Sequence, residues 1–222
     1  RLEEPTSGSV NIRQENFLSL SGADLISSRQ KIQMIFQDPF GSLNPSQTVG
    51  FMLMRSLELR GEDPIEAKAR SLKLLQQVGL GDQAFNRKPR NFSGGQRQRI
   101  GIARALSMGP DVVVADECVS ALDLSVQKQV LLLLNDLQSA YKMAIIFITH
   151  DLRVAAQVSD YITVMEKGKM VEFGTAEDVF NRPKHDYTKR LLDAAPGKDW
   201  HPPRLDPKEA AEIAKSLEKS FS

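Results

Sequence analysis

Apolar positions recur along this chain with two different periods, and the switches between them lay out its elements. Two short β-prone runs, Gly8 to Ile12 and Ile32 to Phe36, are bounded by Gly, Ser, Asp and Pro and predict strands ending in turns. The second delivers Gln37 into a loop. From about Thr48 to Leu80 the spacing turns helical, with Leu72, Leu75 and Val78 on one face and Gly79 and Gly81 as stop signals. This predicts a separate helical lobe. After the turn-rich stretch Asn86 to Asn91, Ser93 opens a further helix whose face carries Ile100, Ala103 and Leu106 and which ends near Gly109-Pro110.

The run Val112-Val113-Val114-Ala115 is continuous and apolar, the pattern of a parallel strand covered on both faces, and it ends in Asp116-Glu117. Val126, Val130, Leu134 and Leu137 mark the next helix, and Ala144 to Ile148 is a second buried strand that ends at Thr149-His150. Strand, helix and strand together predict a right-handed parallel crossover. Tyr161 to Met165 and Met170 to Phe173 flank Lys167-Gly168 as a hairpin or neighbouring strands, and short helices follow to Leu192. Pro196 to Pro207 is a proline-rich linker, and Pro207 to Leu217 predicts a polar terminal helix. The expected architecture is an α/β layered core interrupted by a helical lobe. Its expected divisions are 1–47 for the first part of the core, 48–110 for the lobe, 111–195 for the rest of the core and 196–222 for the tail.

Composition narrows the picture only a little. With 222 residues and 41% hydrophobic content the chain can bury one compact core with a small lobe attached. Its 29 basic and 28 acidic residues leave a net charge of +1, so no global basic field points to nucleic acid. The single cysteine, Cys118, forms no internal disulfide and fits a reducing cytoplasm. No apolar run approaches the roughly 18 residues that a spanning helix needs. The opening Arg1-Leu-Glu-Glu-Pro reads as the end of a preceding helix, so the start is expected to be a cloning, processing or gene boundary.

The chemistry concentrates at strand and helix ends. Asp116 and Glu117 close a buried strand at its carboxyl end, where open parallel sheets hold their ligands. Adjacent acids there suit phosphoryl transfer, one holding Mg²⁺ and the other orienting or deprotonating water; alone, they also fit a solvated strand end. Phe92-Ser93-Gly94-Gly95-Gln96 sets a hydroxyl and two Cβ-free residues at a helix start, where free N–H groups attract phosphate. A plain Ser93 cap explains the serine but does not call for two glycines followed by Gln96-Arg97-Gln98-Arg99, so the phosphate reading leads. His185 and His201 have no Cys or carboxylate neighbours at metal-ligand spacing and read as surface residues.

Ser93-Gly94-Gly95-Gln96-Arg97-Gln98-Arg99, followed by Asp116-Glu117 and Ser120-Ala121-Leu122-Asp123, resembles the ATP-binding-cassette (ABC) ATPase family. The family usually has Leu where this chain has Phe92, and Pro where it has Cys118. The resemblance implies a P-loop NTPase-like α/β core with a parallel sheet and an inserted helical subdomain. It also implies ATP and Mg²⁺ as cofactors, with Asp116 and Gln37 at the metal and Glu117 as catalytic base. Gln37, in Phe36-Gln37-Asp38-Pro39, matches the loop glutamine that links the site to transport subunits. His150 matches the switch histidine that contacts the γ-phosphate, and Asp123 the aspartate that passes between paired subunits. Ser93, Gly94, Gly95 and Gln96 match the signature, which in the family closes over the nucleotide held by a partner subunit.

No Gly-x-x-x-x-Gly-Lys-Ser/Thr occurs among these residues, so the phosphate-cradling loop is expected just upstream and the chain alone is expected to bind ATP weakly or not at all. Phe36 to Pro45 and Asn181 to Leu192 resemble the oligopeptide and dipeptide importer branch, apart from Asp186 where Pro is common. The tail has no cysteines, and no iron–sulfur cluster is expected. The resemblance implies a second ATP-binding subunit, transmembrane permease subunits, a solute-binding protein reached indirectly, and a place at the cytoplasmic face of the membrane. Two other readings stand beside it. One is a non-hydrolysing module that lends only its signature to an intact partner. The other is a soluble ABC ATPase of DNA repair or translation, which the lack of a long heptad run disfavours.

Overall fold

The computed structural model describes residues 3–194, and the expected linker and terminal helix of the tail lie outside the described residues. The chain opens with a hairpin of β1 (Asn11–Ile12) and β2 (Glu15–Asn16), much shorter than the strand expected from Gly8. Its turn residues Arg13 and Gln14 both have positive φ, 46° and 71°, the backbone shape that matches strand twist in two-residue hairpins. A short 3₁₀ turn over Phe17–Ser19 and α1 (Gly22–Lys31) follow. The sequence did not predict α1, because only Ser28 is buried on it and its apolar residues form no stripe.

Next come β3 (Ile32–Ile35), the one-turn α2 (Pro39–Ser42), α3 (Val49–Glu58) and α4 (Pro64–Gln77). Thr48 and Asp63 cap α3 and α4 by accepting backbone N–H groups, and Pro64 sits at the first turn of α4, where its missing N–H costs nothing. The buried face of α4 is Ala67, Ser71, Leu74 and Leu75, with Val78 just beyond; Leu72 is only half-buried, one position off the expected stripe. Gly79, at φ 70°, ends that helix region as expected, whereas Gly81 has ordinary backbone and starts a 3₁₀ turn. A further 3₁₀ turn, Pro89–Asn91, leads into α5 (Gly94–Ser107).

The second half alternates strictly: β4 (Val112–Asp116), α6 (Leu124–Tyr141), β5 (Ala144–Ile148), α7 (Leu152–Val158) and β6 (Tyr161–Glu166). Then β7 (Lys169–Thr175), α8 (Ala176–Asn181) and α9 (Asp186–Ala194) complete the described chain. β3, β4 and β5 form a parallel sheet in that order, with Met34 beside Val114 and Val114 beside Ile146. β6 and β7 form a separate antiparallel hairpin around Lys167-Gly168, whose positive φ values of 51° and 77° suit a tight two-residue turn.

One face of the parallel sheet is sealed. Ile35, Val113 and Ala115 are buried and join Ile100, Ile102 and Leu106 of α5 and Val130, Leu131 and Leu134 of α6 in one core that also takes in α3 and α4. The lobe is therefore not a free unit; it shares its core with the sheet. The opposite face, with Met34 and Ile146, stands open. Among the described residues no helix is long and apolar enough to cross a membrane.

Candidate functional site

β3, β4 and β5 run parallel, so their carboxyl ends share one edge, and that edge gathers three of the expected residues. Glu117 follows β4, Gln37 lies in the loop after β3, and His150 follows β5. Gln37 Nε2 donates to Glu117 Oε2 at 2.8 Å, and His150 Nδ1 lies 3.1 Å from Glu117 Oε1. A carboxylate oxygen accepts, so the contact is a hydrogen bond in the His150 form that carries a proton on Nδ1. His150 is 73% exposed and Glu117 28%, so the cluster is open to a ligand while its acid is half-sheltered.

Glu117 holds an unusual backbone. Its φ is 42°, a left-handed conformation that costs a non-glycine residue about 1–2 kcal/mol. Surrounding bonds impose it: Glu117 N donates to the carbonyl of Ile148 at 2.9 Å, and Ser120 donates to the Glu117 carbonyl from its N–H at 3.1 Å and its hydroxyl at 2.9 Å. Strain fixed in this way marks a position whose geometry is worth its cost. Asp116 is the last residue of β4 and pairs in register with Ile148. Next to Glu117, Cys118 is buried and its thiol is pushed up to about 12, chiefly by burial, so the residue that replaces the usual proline stays a neutral core filler.

The signature residues form a second group. Ser93 and Gln96 make a reciprocal cap at the start of α5, Gln96 N donating to Ser93 Oγ at 3.3 Å and Ser93 N donating to Gln96 Oε1 at 3.1 Å. A Cβ on Gly95 would lie 2.4 Å from Val126 Cγ1, and one on Gly94 would lie 3.8 Å from Leu122. Capping and close helix packing thus explain more of this motif than the sequence suggested; the Ser-x-x-Gln spacing was the signal for it. Asp123 caps α6, accepting from Val126 N at 3.1 Å and Ser125 Oγ at 2.6 Å. The Ser125 hydrogen bond, first among several, holds its carboxyl below the ordinary range.

Buried arginines brace α5 from behind, a feature the motif reading passed over. Arg97 Nε donates to the Pro89 carbonyl at 2.8 Å, and Arg99 donates to the Val78 carbonyl at 2.9 Å and to Gln129 Oε1 at 3.1 Å. Burial lowers the pKa of Arg99. Through Val78 and Gln129 this one side chain ties the end of α4 to α5 and α6.

Among the described residues no three His, Cys, Asp or Glu side chains cluster to hold a metal by themselves. Mg²⁺ is commonly bound through one or two carboxylates plus substrate phosphates, a mode that needs no such cluster.

A parallel sheet whose carboxyl edge brings an acid, a glutamine and a histidine together, beside two capped helix starts, defines an α/β protein with its candidate site where open parallel sheets hold ligands. The sequence profile of the ABC transporter family matches residues 1–120, and the chain belongs to that family. A dipeptide transport ATP-binding protein of Haemophilus influenzae is 45% identical over 196 residues, 88% of this chain and 60% of that protein. The chain spans 60–63% of the length of such relatives. A dimeric ATP-binding cassette in a post-hydrolysis state, bound to ADP and Pi, is 29% identical with a TM-score of 0.69 over 79% of this chain and 76% of that one. A cassette of Clostridium perfringens, part of a larger transporter complex, superposes with a TM-score of 0.74 over 96% of this chain and 78% of that one; at 22% identity it attests the fold alone.

Proposed function

We propose that this chain is the greater part of an ATP-hydrolysing importer subunit that couples ATP turnover to uptake of peptides or similar solutes. The observation that carries the reading is the triangle of Gln37, Glu117 and His150 on one sheet edge. Glu117, oriented by both neighbours, accepts the proton of the attacking water. His150 faces the γ-phosphate, to which its ring would donate a hydrogen bond through a protonated nitrogen, and Gln37 keeps its amide oxygen for water or metal. Asp116 would hold Mg²⁺, which would neutralise charge on the phosphates.

Ser93, Gly94, Gly95 and Gln96 present the N-terminus of α5 to the nucleotide of a second ATP-binding subunit, and Asp123 lies along that same junction. The lobe of residues 48–110 docks the transmembrane permease, with a solute-binding protein acting further out. The chain then sits peripherally at the cytoplasmic face of the membrane. The names of its dipeptide-transport relatives support the solute class. Because these 222 residues contain no Gly-x-x-x-x-Gly-Lys-Ser/Thr, a second reading is kept: by itself the chain lends its signature to an intact partner without hydrolysing ATP.

Titration calorimetry with Mg-ATP separates the two, run on this chain and on a version joined to a phosphate-loop segment. Binding by the joined version alone supports the ATPase reading. Tight binding by the chain alone overturns the account of its missing loop. In the joined protein Glu117→Gln should leave ATP bound and slow hydrolysis by at least about 100-fold; unchanged turnover removes Glu117 from its role.

A further inference from the structure

Arg104 stands in the last turn of α5 and directs its guanidinium to the chain that follows Gln37. Its Nη1 donates to the carbonyl of Ser42, the last residue of α2. The N–H of Ser42 donates in turn to the Asp38 carbonyl at 3.3 Å, and Asp38 is the neighbour of Gln37. Two hydrogen bonds in series therefore run from α5 to the residue beside the glutamine, whose Nε2 reaches Glu117 at 2.8 Å.

α2 needs such an anchor. A helix of one turn closes too few bonds to hold itself, and the carbonyls of its last turn have no partner inside it. Gly41 is exposed and Ser42 half-buried, so packing holds the chain firmly only from Leu43, which is 3% exposed. Burying Leu43 returns the loop to the core; orienting the Ser42 carbonyl takes a donor.

Charge pairing does not account for Arg104. It borders a cleft of about 660 Å³ between β3, α3 and α5, lined also by Gln33, Met34 and Ser56, and among the described residues no acid lines it. The guanidinium is half-buried, and burial lowers its pKa. The dipole of α5 favours a cation in its last turn, but an exposed one would serve it as well. What the half-buried site adds is the reach to Ser42.

We infer that Arg104 is a positioning residue for Gln37: by holding the Ser42 carbonyl it fixes α2 and keeps the amide of Gln37 on Glu117. The meaning of this for hydrolysis rests on the ATPase reading; the placement of Gln37 does not. α5 then carries Ser93 at its start and the anchor of Gln37 at its end, about 16 Å apart along one helix.

The test reads Gln37 directly, by NMR on the 222-residue chain. A cross-peak between the Gln37 side-chain amide and the Hγ protons of Glu117 should be present in wild type and lost in Arg104→Met. Arg104→Lys, which keeps a donor for Ser42, should retain it. Arg60→Met is the control: Arg60 Nη1 donates to the Ser107 carbonyl at 3.0 Å, so this variant removes a bond from the same end of α5 without touching α2, and the cross-peak should stay. A cross-peak absent from wild type, or one that survives Arg104→Met, overturns the inference. So does its loss in Arg60→Met, since loosening α5 would then suffice. If Arg104→Met does not fold, Arg104→Gln, whose stem is too short for Ser42, is read in the same way.

Kinetics add a second reading, in the version joined to a phosphate-loop segment. There Arg104→Met should lower kcat at least about tenfold and leave KM for ATP within about twofold of wild type. Gln37→Ala should match it, and the double variant should be no slower than either alone. Losses that multiply would place Arg104 outside the path through Gln37 and overturn the inference. If that joined protein hydrolyses no ATP while the cross-peak behaves as described, the positioning of Gln37 stands and the ATPase reading falls.

Discussion

The start of α5 and the end of β4 carry the two most recognisable stretches of this chain, and they are built on opposite terms. At the start of α5 three motif residues also serve the fold: Ser93 and Gln96 cap each other, and Gly95 lets the helix approach Val126. At the end of β4, Glu117 is forced into a left-handed backbone and its carboxylate is held by two exposed side chains, contacts that add little stability in water. The start of α5 is shaped by ordinary helix rules. Glu117 is placed against them, in a strained backbone that persists because the surrounding bonds over-determine it.

The largest expected effect tests the bracing behind α5. Arg99→Met should cost the chain about 2–3 kcal/mol in urea denaturation, since it leaves the Val78 carbonyl without its buried donor. Arg90→Ala, on the exposed side, should cost less than about 0.5 kcal/mol. Equal effects would mean that α5 is held by apolar packing alone. Next in size, Gly95→Ala should destabilise by about 1–3 kcal/mol through the clash with Val126. Adding Val126→Ala should recover part of that loss, which a double-mutant cycle reads directly; simple additivity would show that Gly95 is not there for the contact.

A smaller pair of substitutions puts the contrast itself at stake, because their signs differ. Ser93→Ala should lower stability by about 1 kcal/mol through loss of the cap. Glu117→Gly should raise it by about 0.5 kcal/mol, the relief of the left-handed backbone outweighing the flexibility glycine adds to the unfolded chain. Thermal melts of both variants suffice. A destabilised Glu117→Gly would mean that its hydrogen bonds outweigh the strain and that the two regions are built alike.

The sequence disclosed the strongly patterned parts of this fold and hid the rest for identifiable reasons. The valine run of β4 and the leucines of α6 were plain because both are continuous apolar runs, alternately buried in β4 and buried from Val130 to Leu134 in α6. α1 was invisible because Gly22 to Lys31 has no apolar face, and the first hairpin because Arg13-Gln14 lacks the usual Asn or Gly of its turn. In the site, the spacing of motifs found Gln37, Glu117 and His150, and the parallel sheet brought them into contact. What spacing could not reveal was conformation, namely the left-handed Glu117, or that Gln96 turns back on Ser93.

Asp123 gives the smallest effect and the finest test, for it belongs to the signature side of the contrast yet carries a charge. Its carboxyl is held below its ordinary value first by the Ser125 hydroxyl and then by the backbone of Val126. A depressed carboxylate stabilises the fold at pH above its unfolded value, and that contribution is lost as pH falls through the lower folded value. Wild type should therefore melt above Asp123→Ala at pH 7, with a gap that narrows as pH drops below about 4. The group is fully exposed, so salt should shrink the charged part of the gap as well. A gap that stays constant down to pH 3 would mean that the cap works through shape alone and that Asp123 could be Ser or Asn without loss to the fold. Its acid would then have to be explained, like Glu117, by what it meets outside this chain.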